Sequence, residues 1–116
     1  MPTAATTLTG AMAVFFLVAG TLKIAGIEPV RERAAALNLS FEQYCLFGVA
    51  EVPTGVALII GLGLPAVARA AALFLTLLMM VLITVHVRAG SPPGRLAPPI
   101  ALWVAATALT LLLFAS

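Results

Sequence analysis

Three ionisable side chains fall within long apolar runs of the sequence: Lys23, Glu51 and His86. A charged group inside a bilayer is expensive, and such groups usually face a bundle interior or a water-filled cavity. A carboxylate near an ammonium can form a buried ion pair, or it can bind and orient a polar group on a ligand. With an imidazole nearby, the same set can exchange protons with a reducible carbonyl. Lys23 carries a four-carbon stem that can reach the membrane interface. Glu51 is shorter and further from a helix end, so it has no such escape. His86 and Arg88 stand near a helix C-terminus, where a cation suits the helix dipole and an interfacial cap is the simpler role.

These residues must be held by helices. A helix needs about 20 residues to cross the hydrocarbon core, and four runs of that length are present. They extend approximately over residues 8–27, 43–63, 66–87 and 97–115. The expected fold is therefore an all-α, four-transmembrane-helix bundle forming one domain. At a rise of about 1.5 Å per residue, Lys23 lies roughly 6 Å and Glu51 roughly 12 Å from their helix ends. Adjacent spans run in opposite directions, so Lys23, Glu51 and His86 share one half of the membrane while belonging to three helices.

Composition supports the same conclusion. Of 116 residues, 63% are hydrophobic and 9% are charged, against roughly 25% charged in soluble domains. A chain of this length has too little interior to hide so much apolar surface from water, so membrane lipid is its solvent. The net charge of +2 rests on ten charged residues with no basic run, which argues against a nucleic-acid partner. The one cysteine, Cys45, excludes an internal disulfide, and no metal site is expected. The simplest role for Cys45 is a small apolar residue at the start of a helix. No Lys or Arg precedes Lys23, so the first run lacks the basic segment of a signal peptide and reads as a retained span.

The connections differ in kind. Residues 28–42 hold most of the charge and are long enough for a short amphipathic segment, residues 64–65 form a tight turn, and residues 88–95 form a Pro/Gly-rich loop. Pro98 and Pro99 are expected in the first turn of the fourth span, where proline is tolerated. Lys23, Arg31, Arg33, Arg88 and Arg95 fall on one side and Arg69 on the other. The positive-inside rule then puts the first and third loops in the cytoplasm and both termini outside.

Pro53, two residues after Glu51, deprives the Val49 carbonyl of its partner and is expected to kink the helix. Gly48 and Gly55 allow close helix approach. Trp103 reaches a similar depth on the fourth span and is a candidate wall for a pocket at the kink, with interface anchoring as the alternative.

The stretches "FFLVAGTLKIAG" (15–26), "LFGVAEVPTGVALIIGLGLP" (46–65) and "LTLLMMVLITVHVRAG" (75–90) occur in that order. Together they resemble the DoxX-like family of small four-helix membrane proteins. They look like its Phe-x-x-x-Gly-x-x-Lys element, its Gly-x-x-Glu helix and its third helix ending near a His. Lys23 and Glu51 match that pattern and His86 matches loosely. The resemblance implies a four-helix transmembrane bundle. It also implies association with quinone-linked or detoxifying redox complexes in some members, and with sterol-like ligands or receptor assembly in similar architectures. The lone Cys45 departs from anything that needs a thiol pair. The expected location is a bacterial plasma membrane.

Two functions follow as expectations. In the first, the bundle is non-catalytic and binds a hydrophobic small molecule or a partner protein at a polar site around Glu51 and Lys23. In the second, it is the membrane subunit of an oxidoreductase complex and holds a quinone, the one candidate cofactor. No haem axial pair, iron–sulfur cysteines or dinucleotide loop is present, so electrons would come from an oxidoreductase partner. The isolated chain is thus not expected to be an enzyme. Transport is the weakest reading, since four short spans leave little room for a path unless the chain forms a homodimer.

Overall fold

The computed structural model describes residues 3–115 and contains five helices among them. They are α1 (Thr3–Ala25), α2 (Glu28–Ala36), α3 (Phe41–Gly61), α4 (Pro65–Arg88) and α5 (Pro93–Ala115). Four of them, all except α2, are long and apolar enough to cross a membrane. Only 22–39% of the residues in their most hydrophobic windows are buried. The remainder, including Val14, Val18, Leu77, Leu111 and Phe114, forms an exposed apolar jacket suited to lipid.

Helix order around the bundle is α1, α3, α4, α5, and the circle is completed by a slender contact between α5 and α1. The tightest seam joins α1 to α3 through facing glycines. A Cβ on Gly48 would stand 2.7 Å from the Gly20 carbonyl oxygen and 2.9 Å from Lys23 Cβ. A Cβ on Gly55 would meet Leu17 and the Ala13 carbonyl. Small residues let two backbones approach closely where lipid offers no hydrophobic drive to bring them together. Gly61 does the same against Ala68 at the α3–α4 hairpin. Phe16, Leu58, Leu75, Met79, Leu109 and Leu113 fill the interior between the four spans.

The predicted amphipathic segment is α2. It lies across the loop end of the bundle with Val30, Ala34 and Leu37 buried against Tyr44. α1 stops at Gly26, whose φ of +68° a side chain would resist. The Gly26 carbonyl accepts a 2.8 Å bond from Arg31 Nε, and the Arg31 guanidinium stacks 4.2 Å from the Phe41 ring. Ser40 then opens α3 with a capping box, its Oγ accepting from the Gln43 amide while Gln43 Oε1 accepts from the Ser40 amide.

Some boundaries differ from the sequence expectation. α1 starts earlier and ends at Ala25, α3 spans 41–61 rather than 43–63, and α4 spans 65–88. The largest correction is at α5, which starts at Pro93, so Pro98 and Pro99 lie inside the helix rather than in its first turn. Pro93 occupies the N1 position that proline favours, and Pro92 carbonyl oxygen accepts from the Arg95 and Leu96 amides. The third loop therefore shrinks, and Gly94 and Arg95 become helical. Pro98 and Pro99 bring no N–H, so the carbonyls of Gly94 and Arg95 lack their usual i+4 donors.

Candidate functional site

Lys23 and Glu51 meet in the structure. Lys23 Nζ donates to Glu51 Oε1 across 2.6 Å, with Glu51 1% exposed and the lysine side chain 10% exposed. The lysine does not turn outward to the interface. Its Cβ lies beside Gly48, and its ammonium reaches along α3 by nearly a turn to Glu51. Helix direction explains this choice, because the Cα–Cβ bond leans toward the helix N-terminus. For α1 that terminus is at the opposite end of the bundle, so Lys23 leans inward. The missing side chain at Gly48 clears its route.

Tyr44, which sequence reasoning did not select, completes this cluster. Its ring centroid is 5.4 Å from Lys23 Nζ, a cation–π contact. The signal was available: residues 44, 48, 51 and 55 share one face of α3 at spacings of three and four.

The pair forms part of the wall of a cleft of about 780 Å³. All five helices contribute: Phe16 and Lys23 from α1, Val30 and Arg33 from α2, Tyr44 and Glu51 from α3. Met79, Leu82 and His86 come from α4, and Arg95, Pro98 and Leu102 from α5. The exposed residues on its rim come from α1 (Val18, Leu22), α2 (Pro29, Glu32, Arg33) and α5 (Arg95, Pro98), which puts the mouth where α2 meets the slender α1–α5 seam. α2 roofs the cleft at the loop end. Its walls are mainly apolar, and its volume lies within the roughly 300–1,000 Å³ of small-molecule sites.

His86 joins Lys23 and Glu51 in this cleft, and it also serves the helix end, with Nδ1 3.2 Å from Ser91 Oγ. Both positions expected of it, at the helix end and beside the pair, are thus met by one placement. Trp103 does not line the cleft. It packs against the central core, and its indole nitrogen is buried without a hydrogen-bond partner among the described residues. Pro53 is also elsewhere. Two residues on a helix are about 200° apart, so Pro53 is exposed on the side away from Glu51. There it lines a separate groove of about 350 Å³ with Ala50, Thr54, Ala57, Ala71 and Phe74. α3 is helical through Pro53, and Thr54 Oγ1 donates 2.7 Å to the Ala50 carbonyl. The cleft arises instead where α5 and α1 diverge below α2. Cys45 is a free, partly exposed thiol. Among the described residues, no group of three His, Cys, Asp or Glu could hold a metal ion.

The profile of the DoxX-like family matches residues 7–109, a span that includes every residue of the cluster. No curated protein and no solved structure matches the chain. The match covers α1 almost entirely, α2, α3, α4 and most of α5, and with it the chain belongs to the DoxX-like family of membrane proteins.

Proposed function

We propose that this integral membrane protein binds a hydrophobic small molecule in the cleft between α1 and α5, with Lys23 and Glu51 as the polar end of the site. The observation that carries this reading is a buried ion pair set in the wall of a largely apolar, ligand-sized cleft. An ion pair needed only to hold α1 on α3 would gain nothing from adjoining open volume. Leu102, Met79 and Leu82 supply apolar surface, while Lys23, Tyr44 and Glu51 supply directional hydrogen bonds. The excess of Lys and Arg at the α2 end supports a cytoplasmic location for that end, with both termini outside.

A second reading is favoured by one further observation. Glu51, Tyr44 and His86 adjoin the same cleft, and these are groups able to exchange protons with a quinone head group. In that case the chain is the membrane subunit of a quinone-linked complex, and an oxidoreductase partner supplies the electrons. Organic extraction of the purified protein tests both readings. The first predicts a bound lipid-soluble compound whose yield falls in Glu51→Gln, and the second predicts that the compound is a quinone. Equal recovery from wild type and Glu51→Gln would remove Glu51 from the site.

A further inference from the structure

We infer that the ligand presents a neutral hydroxyl to the Lys23–Glu51 pair, donating to Glu51 and accepting from Lys23. This rests on the proposal that the cleft binds a hydrophobic small molecule. Glu51 Oε1 is taken by Lys23, but Oε2 is buried and accepts no hydrogen bond from any described residue. A buried carboxylate oxygen without a donor is costly, and a hydrogen bond to it recovers part of that cost. Lys23 carries three N–H donors, of which one is directed to Oε1. The pair therefore holds an unused acceptor and unused donors side by side in the cleft wall, and the Glu51 carboxylate must turn to present that acceptor to a ligand.

Charge selects among head groups. An anionic head would be drawn by Arg33 and Arg95 in the cleft wall, but it would meet the unpartnered Oε2 with like charge. A cationic head would satisfy Oε2, yet it would enter a site whose three cations, Lys23, Arg33 and Arg95, outnumber its two carboxylates, Glu32 and Glu51. A ketone or ether can accept from Lys23 but leaves Oε2 unpaired. An alcohol or phenol satisfies both partners without adding charge. Gly94 and Arg95, whose carbonyls lose their usual donors to Pro98 and Pro99, line the same cleft.

The test compares three probes of one tail length, 4-octylphenol, 4-octylanisole and 4-octylbenzoate, on the full chain in lipid nanodiscs. Binding is read by calorimetry and by the infrared carboxylate band of Glu51. The phenol is expected to bind at least tenfold more tightly than the anisole, and to shift a carboxylate band that is missing from Glu51→Gln. Leu102→Trp, which fills the cleft and leaves the pair untouched, is expected to abolish binding of both. Equal affinity for phenol and anisole, abolished by Leu102→Trp, would overturn the hydroxyl inference while leaving the cleft as a binding site. Tighter binding of the benzoate would overturn it in favour of an anionic head. No binding of any probe to wild type would sink the binding reading itself. Failure of Glu51→Gln to fold does not affect the wild-type comparison, which decides the matter.

Discussion

Breaking the Lys23–Glu51 pair from its two sides should have unequal consequences. Lys23→Met strands a carboxylate that is 1% exposed, and loss of one partner from a buried pair costs about 3–5 kcal/mol. Glu51→Leu strands the lysine, but its four-carbon stem can swing to the interface, so the expected cost falls to about 1–3 kcal/mol. The double variant Lys23→Met/Glu51→Leu replaces the pair with apolar groups of similar volume, an exchange that is often neutral or stabilising. Its stability should therefore lie close to wild type, which makes the coupling between the two sites about 4 kcal/mol or more. Equilibrium unfolding in mixed micelles with rising SDS mole fraction, followed by far-UV circular dichroism, measures all four proteins. Additive losses would refute the ion pair as a coupled unit. A loss in Glu51→Leu as large as that in Lys23→Met would refute the escape of the stranded lysine to the interface.

Three other outcomes are expected. Gly48→Ala drives a methyl against the Gly20 carbonyl and Lys23, so it should lose about 1–3 kcal/mol in the same assay, whereas Gly10→Ala meets open space and should lose nothing. Ser40→Ala removes the α3 capping box and should cost about 0.5–2 kcal/mol, seen as a lower melting temperature. A cysteine introduced at Arg31 in a Cys45→Ala background should react with a membrane-impermeant maleimide only after the cells are opened; labelling of intact cells would reverse the proposed orientation.

The bundle was legible because hydropathy acts through length alone. Four apolar runs of about 20 residues demand four spans, and their alternating direction already put Lys23, Glu51 and His86 at one end. Helix α2 was legible only as an amphipathic stretch, since its burial depends on Tyr44 being presented by α3. The start of α5 was misread because a pair of prolines suggests a first turn, and nothing local says that Pro93 holds that position instead. The ion pair was one of the alternatives that depth allowed, but its geometry rests on Gly20 and Gly48 facing each other. Pro53 and Trp103 show the limit of arguing from depth. Each lies near the level of Glu51, but helix rotation turns Pro53 to the outer surface and Trp103 into the core. Tyr44 was missed although it shares the face of Glu51, because a lone tyrosine near a helix start also fits interface anchoring.

A small hydrophobic molecule held in the cleft beside Lys23 and Glu51 should be open to covalent capture in place. Photolabelling of the full chain in nanodiscs with a diazirine-bearing alkylphenol, mapped by peptide mass spectrometry, tests it most directly. Labels are expected on Leu22, Tyr44 and Leu102, all around the cleft, suppressed by excess 4-octylphenol and lost in Ala19→Phe. Labels spread over lipid-facing positions such as Val14 and Leu111, unaffected by the competitor, would contradict it.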